Sequence, residues 1–320
     1  MTVPVIDLTG FAGGSPSART QIAADVDRAC RQVGFFSVVG HGVPDVLIDE
    51  AHAEASAFFD LPLEDRLAAR KPPGGPYGYS PFEAEALNRS IGGETPPDLK
   101  ETFDVGPVGV PPRPIAEMTD PDERDTFGPT PWPPAQPRLR PALERYHVAL
   151  GRLATVLMDT FGVALGLGDD AFADLVHQHG SALRCAKYPA LDSSPPPGAF
   201  RAGAHTDYGT LTILRLDDEP GLQVERAPGE WIDVDAPAGA FVVNLGDLMQ
   251  RWTNDRWRST MHRVVVPDDR HDRERLTMPF FHNANWDARV ECLVGDDESP
   301  RYQPITAGAH LMAKFRSTIV

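Results

Sequence analysis

The sequence predicts an α+β chain with a mainly β core: a double-stranded β-helix, or jelly roll, buttressed by N-terminal and central helices. Three observations lead there. After Leu183 the chain breaks into short alternating apolar runs separated by Gly, Pro and Asp, the pattern of a sandwich or barrel. Before that point apolar residues recur at helical spacing, most clearly between Arg138 and Leu165. Beyond one proline-dense stretch there is no repeat or low-complexity tract, so one domain is expected over residues 1–320. Within it, 1–115 reads as a helical and strand region, 180–285 as the jelly-roll core and 305–318 as a closing helix.

Val3 to Leu8 is a short apolar strand. Ser17 to Val33 carries Ile22, Val26 and Ala29 at helical spacing, with Ser17 available as a cap. Gly34 to Val43 reads as a strand closed by a glycine turn, and Asp45 to Phe59 as a second helix with Pro44 suited to its first turn. Leu63 to Ala69 is a short third helix, Lys71 to Tyr79 a Pro/Gly-rich loop, and Asp98 to Val105 a strand. Pro107 to Pro141, dense in proline, reads as an irregular surface excursion. The helix from Arg138 to Leu165 aligns Leu143, Tyr146, Leu150, Leu153, Leu157 and Phe161 on one face, which packing alone explains. The strands that follow are Leu183–Tyr188, Thr210–Leu216, Leu222–Arg226, Trp231–Val234, Phe241–Leu245, Arg263–Val266, Arg275–Phe281 and Glu291–Leu293, and Ala307 to Arg316 is the last helix.

The chain is 41% hydrophobic with a formal net charge of −16, which suits a folded globule with a substantial core. With an acidic balance and no Lys/Arg cluster, nucleic acid is not an expected partner; a small molecule is. No apolar run approaches a membrane span, and Met1 to Gly10 lacks the basic start and apolar stretch of an export signal, so no membrane association is expected. Cys30, Cys185 and Cys292 are too scattered for a disulfide framework or a Cys-x-x-Cys metal site. A reducing cytoplasm is the simplest location. The Ala, Arg, Pro, Gly and Asp bias suits a high-GC bacterium.

The chemistry gathers around His205-Thr206-Asp207, with His262 and Arg275 downstream. If Gly203 to Thr212 is extended, His205 and Asp207 share a face, and His262 can join them from a neighbouring strand. Two histidines and one carboxylate on one side of a metal leave the opposite positions open, which suits non-haem Fe(II) and O2. The pattern also recurs by chance, and a zinc hydrolase could use the same three ligands. Arg275 and Thr277 share a face of their strand; a guanidinium beside a hydroxyl makes a carboxylate site, although a structural ion pair would use the same arginine.

Asn244-Leu245-Gly246-Asp247, the polar Trp252-Thr253-Asn254 turn and the strand carrying His262-Arg263-Val264 resemble the isopenicillin N synthase-like family of Fe(II)/2-oxoglutarate-dependent oxygenases. Val3 to Leu8, Gly34-Phe35-Phe36 with Gly40-His41-Gly42-Val43, Lys100 to Asp104, and His205 to Thr212 agree in the same order along nearly the whole chain. The resemblance implies that His205, Asp207 and His262 bind Fe(II), that Arg275 and Thr277 hold the distal carboxylate of 2-oxoglutarate, and that Tyr188 lies beside it. Thr277 stands where the family has Ser, and Ala186-Lys187-Tyr188-Pro189 lacks an asparagine that many plant members carry. The implied reaction oxidises a small molecule with O2 while 2-oxoglutarate becomes succinate, with hydroxylation ahead of desaturation or cyclisation, in specialised metabolism and as a monomer.

By position in the family, the substrate would meet Tyr79, Phe82, Phe103, Arg184, Phe281 and Asn283, the aromatics against an apolar portion and Arg184 and Asn283 against a polar group. A core role explains Phe281 equally well. His41, His177, His179, His282, Trp252 and Trp257 are read as packing or local hydrogen-bonding residues. Three other readings stay open: a 2-oxoglutarate-independent Fe(II) oxidase or cyclase of the same family, a zinc hydrolase, and a non-catalytic jelly-roll binding protein.

Overall fold

Ser15 starts the first helix: its hydroxyl accepts from the N–H of Ala18 at 3.2 Å, and Pro16 occupies the first helical position. The cap is thus two residues earlier than the Ser17 expected from sequence. The computed structural model describes residues 3–318 apart from 89–91, 93–95, 268 and 296. The N-terminal region contains β1 (Val5–Asp7), α1 (Pro16–Gln32), β2 (Phe35–Val39), α2 (Asp45–Phe59), α3 (Leu63–Leu67), β3 (Gly78–Ser80) and β4 (Glu101–Val105). Short α4 (Pro121–Thr126) leads to the long α5 (Leu139–Ala164) and then α6 (Ala173–Val176). The strand-rich half follows: β5 (Ala182–Tyr188), β6 (Ala202–His205), β7 (Leu211–Arg215), β8 (Leu222–Ala227), β9 (Glu230–Asp233) and β10 (Phe241–Leu245). After α7 (Asp247–Trp252) come β11 (His262–Val264), β12 (Arg275–Thr277), β13 (Phe280–His282), β14 (Arg289–Val290), β15 (Ile305–Thr306) and α8 (Ala307–Thr318).

Among the described residues, two sheets face each other. The larger runs β1-β2-β10-β7-β13-β5-β4-β3, with β12 also paired to β5; the smaller runs β6-β11-β8-β9. Strand alternation divides the large sheet cleanly. Phe36, Val38, Ile213, Val243, Cys185 and Phe280 pack outward onto α1, α2 and α5 in one apolar cluster. Their neighbours Phe35, Val242, Ala186 and Tyr188 turn inward to meet Val224 and Val264 of the small sheet. The inner space between the sheets is where the functional side chains converge.

Three departures from the sequence reading have local causes. Arg275 to Phe281 is two strands because Pro279 cannot donate to a ladder, and its carbonyl instead accepts from the N–H of Arg184 at 3.0 Å. The proline-dense stretch is built into the fold: it forms a 3-10 turn (Ile115–Glu117) and α4, buries Met118 and Phe127, and lays Trp132 on Phe103 at 5.5 Å. Tyr79 and Phe103 are corrected as substrate residues. They pair across β3 and β4 on the outward face, where Phe103 meets Phe58 at 4.8 Å and the Tyr79 hydroxyl donates to Glu101 at 2.6 Å.

Because Phe103 is wholly buried in this outer cluster, Phe103→Ala is expected to cost ~3–5 kcal/mol in urea unfolding. A loss below about 1 kcal/mol would mean that the site collapses around the missing ring or was never tightly packed.

Candidate metal centre and co-substrate pocket

His205 ends β6 and His262 begins β11, and the two are cross-strand partners in the small sheet. Their rings lie 4.3 Å apart between centroids. In each, Nδ1 donates to a carbonyl two residues back: Gly203 at 2.7 Å for His205, Thr260 at 3.0 Å for His262. That fixes the tautomer and leaves both Nε2 atoms as acceptors on the inside. Asp207 Oδ1 lies 3.9 Å from Nε2 of His205 and 3.8 Å from Nε2 of His262. The three ligand atoms all fall within 4.8 Å of one another, and this is the one such metal-capable group among the described residues.

Asp207 reaches this point by a different route from the one expected. The strand stops at His205, and Thr206 to Tyr208 form a loop, so strand alternation does not aim the carboxylate. The loop is pinned instead. The N–H of Asp247 donates to the Asp207 carbonyl at 2.8 Å, and the Thr206 hydroxyl to the Asp247 carboxylate at 3.1 Å. Gly246 permits this contact, since a Cβ there would sit 2.2 Å from the Gly209 carbonyl oxygen. The second carboxylate oxygen, Oδ2, accepts from Thr212 Oγ1 at 2.5 Å and Asn244 Nδ2 at 2.7 Å. Thr212 and Asn244 are themselves cross-strand partners on β7 and β10.

The protonation states suit a cation. Burial, reinforced by His262, depresses His205 to about 3, so its imidazole is neutral at pH 7. Burial pushes the Asp207 carboxyl up, but His262 and His205, with the bonds from Asn244 and Thr212, outweigh it and hold the group ionised. The neutral His205 imidazole, the His262 imidazole with Nε2 turned inward and the Asp207 carboxylate, each with its outer atom already bonded, match what a divalent first-row metal needs.

Arg275 and Thr277 face the same inner space, because Leu276 between them packs into the outer cluster. Arg275 pairs across β12 and β5 with Tyr188, its guanidinium carbon 5.3 Å from the ring centroid, and its Nε donates to the Glu219 carbonyl at 3.0 Å. Arg275, Thr277 and Tyr188 are all buried. One more side chain joins them that the sequence reading does not single out. Arg201, just before β6, is 2% exposed, and its Nη1 is buried with no hydrogen-bond partner among the described residues.

Comparison with known proteins decides the family. Residues 179–284 match the 2OG-Fe(II) oxygenase superfamily, and residues 3–135 match the family described as non-haem dioxygenase in morphine synthesis N-terminal. A 2-oxoglutarate-Fe(II) type oxidoreductase of Emericella nidulans, hxnY, is 34% identical over 95% of this chain and 86% of its own. The chain belongs to the 2-oxoglutarate–Fe(II) oxygenases. A homoarginine-6-hydroxylase of Oryza sativa subsp. japonica is 31% identical over 99% and 98% of the two chains. A full-length Neurospora crassa protein, crystallised in complex with α-ketoglutarate and thymine, superposes with a TM-score of 0.83 at 27% identity, over 99% of this chain and 97% of that one. The protein is therefore a non-haem Fe(II)- and 2-oxoglutarate-dependent dioxygenase that uses O2, on a jelly-roll fold.

In this oxygenase the remaining residues predicted for substrate divide. Phe281, half-buried, sits beside Thr212 in the sheet register and on the inward face. Arg184 also points inward, but its guanidinium already binds Asp104 (2.6 and 3.2 Å) and Glu85 (2.9 and 3.1 Å). Asn283 is half-buried and donates its amide to the Gly180 carbonyl at 3.0 Å, and Phe82 is 40% exposed. Thr212 and Asn244 escape the sequence reading as site residues, although Asn244 stands in the Asn-x-Gly-Asp motif. His41 makes the local bond expected of it, accepting from the N–H of Val43, and a second, long-range one to the Gly239 carbonyl. Among the described residues no helix is long and apolar enough to cross a membrane.

His147, His179 and His282 form a row behind the sheet, with ring centroids 6.4 and 5.1 Å apart. Burial depresses all three, His147 to about 4.

Two outcomes are expected. Asn244→Ala removes one of the two hydrogen bonds to Oδ2 of Asp207 and should weaken Fe(II) binding about 10–100-fold in anaerobic titration; unchanged affinity would remove its positioning role. The buried histidines stay neutral where the unfolded chain takes up protons, so stability is present above the unfolded value near 6.5 and is lost as pH falls toward the folded one. Urea unfolding of the metal-free protein should therefore weaken from pH 7 to 5, and His147→Gln should make that decline shallower by up to ~1.4 kcal/mol per pH unit. Parallel profiles for variant and parent would contradict it.

Proposed function

We propose that His205, Asp207 and His262 hold Fe(II), that Arg275, Thr277 and Tyr188 hold the distal carboxylate of 2-oxoglutarate, and that the enzyme hydroxylates a small polar molecule in specialised metabolism. The observation that carries this reading is the convergence of three ligand atoms within 4.8 Å, on the same inner space as a buried Arg–Thr pair. When bound, Fe(II) and 2-oxoglutarate supply the oxidising chemistry: 2-oxoglutarate and O2 are consumed, succinate and CO2 are released, and the second oxygen atom goes to the substrate.

The chain's own residues do the rest by holding and excluding. Thr212 and Asn244 keep one carboxylate oxygen of Asp207 occupied, so that only the other is offered to metal. The Gly203 and Thr260 carbonyls keep each histidine turned with Nε2 inward. The guanidinium of Arg275 supplies direction and charge for a carboxylate, and the hydroxyls of Thr277 and Tyr188 can donate to the same group. Phe35 shields the His262 imidazole at 5.4 Å, and the inner apolar cluster keeps bulk water from the oxidant.

A polar substrate is favoured by the ions that share the inward face with Phe281. Lys71 binds Asp104 at 2.6 Å, Lys100 binds Asp98 at 2.8 Å, and Arg184 and Glu85 bridge the two pairs. Such a wall favours a substrate with hydrogen-bonding or zwitterionic groups over a lipid-like one. The compounds named for two similar proteins, homoarginine and thymine, are of this kind.

The test is succinate release with candidate polar substrates, read beside Fe(II) and 2-oxoglutarate titrations. Asp207→Ala should abolish Fe(II) binding and turnover. Arg275→Gln should leave Fe(II) binding intact and raise the 2-oxoglutarate requirement roughly 10–100-fold, the worth of hydrogen bonds to a charged group. Full activity in Asp207→Ala, or an unaltered 2-oxoglutarate requirement in Arg275→Gln, would sink the corresponding assignment.

A further inference from the structure

We infer that Arg201 is a second cation for the distal carboxylate of 2-oxoglutarate, so that the co-substrate is held between two guanidiniums rather than by one arginine and its neighbouring hydroxyls. This deepens the co-substrate site proposed above and rests on it.

Arg201 is among the largest fully buried side chains of the described residues. Burying a guanidinium is costly unless its donors are met. Here Nη2 donates to the carbonyl of Arg273, two residues before Arg275, while Nη1 is buried and meets no acceptor among the described residues. The charged and ionisable groups around it are Arg275, Tyr188, Glu219 and Asp217.

Neither neighbouring carboxylate hydrogen-bonds Nη1. Asp217 spends Oδ1 on the N–H of Glu219 at 2.8 Å and Oδ2 on the N–H of Leu276 at 2.9 Å. Glu219 faces Arg270 at 3.2 Å. Arg275 in turn directs its Nε to a backbone carbonyl. Two cations thus share a buried corner, Arg275 bonded to the Glu219 carbonyl and to Tyr188, Arg201 to the Arg273 carbonyl, and Nη1 of Arg201 is left over. A single carboxylate offers about four lone-pair positions, enough to receive both forks.

The inner end of the pocket is therefore built for a full negative charge and not only for a hydrogen-bond acceptor. A 2-oxo acid with a neutral far end would bring no charge to the two arginines and would meet Nη1 of Arg201 less well.

The experiment is anaerobic calorimetric titration of the Fe(II)-loaded protein with 2-oxoglutarate and with its 5-methyl ester, which keeps the chelating end and removes the distal charge. Arg201→Gln should weaken 2-oxoglutarate about tenfold, the size of one charge-assisted hydrogen bond. It should change the ester by less than about twofold, so that the preference for the charged ligand shrinks. Arg201→Lys, which keeps the charge, should retain most of that preference. Equal weakening of both ligands, or of neither, would make Arg201 a mere cap on the Arg273 carbonyl and overturn the inference. If Arg275→Gln also leaves 2-oxoglutarate binding unchanged, it is the co-substrate site itself that fails. A crystal structure of the unaltered protein with Fe(II) and 2-oxoglutarate gives a test independent of any variant's folding. Nη1 of Arg201 at about 3 Å from the distal carboxylate is expected, and a carboxylate that contacts Arg275 alone overturns the proposal.

Discussion

The centre depends on how one carboxylate is divided. Asp207 gives Oδ2 to Thr212 and Asn244, neighbours on the large sheet, and Oδ1 to the side where the two small-sheet histidines point. A buried carboxylate costs several kcal/mol unless its lone pairs are met. Hydrogen bonds on one oxygen offset part of that cost, and the cationic demand on the other remains for a metal. Asp207 is thereby the pin that joins the two sheets at their inner faces, and the spacing between β7, β10, β6 and β11 sets the geometry of the ligands.

That arrangement explains why polar residues occupy strands that are otherwise apolar on both faces. Thr212 lies beside Ile213, and Asn244 beside Val243, with the aliphatic member of each pair sent outward under the helices. The inner apolar cluster is small, and polar groups stand around it: the metal ligands and their supports, the ionic wall of Arg184, Glu85 and Asp104, and the cationic corner of Arg275 and Arg201. The helices stabilise the barrel from outside, so the inside can carry groups that a conventional core would reject.

Much of this is legible in the sequence, and the misreadings have physical causes. Leu276 between Arg275 and Thr277 announces their common face, because period-2 alternation survives in a three-residue strand. The same alternation points to Asp207, yet a loop held by Asp247 is what brings it there; a long-range main-chain bond leaves no periodic trace. Phe103 and Tyr79 are assigned to substrate by position in the family, and β3 and β4, buried on both sides, offer no exposed face to tell outward from inward side chains. The six-residue α7 is too short for a helical period to emerge. A buried arginine such as Arg201 looks like any surface arginine until the fold surrounds it.

Arg184 shows how a correctly oriented side chain can still be unavailable. It faces inward opposite Asp104, as a substrate-binding cation should. Four of its hydrogen bonds already go to Asp104 and Glu85, out of five N–H donors. Burial opposes its charge, but the two carboxylates outweigh burial and hold the guanidinium more firmly protonated than usual. Glu85 is in turn approached by Lys71 and Lys100, each at 3.5 Å. A ligand carboxylate arriving here would have to displace Glu85 from three cations, whereas a ligand that donates to the outer oxygens of this network meets no such barrier. Under the proposed function, selectivity at this wall follows from the whole ionic network, and the charge of Arg184 alone does not predict what it admits.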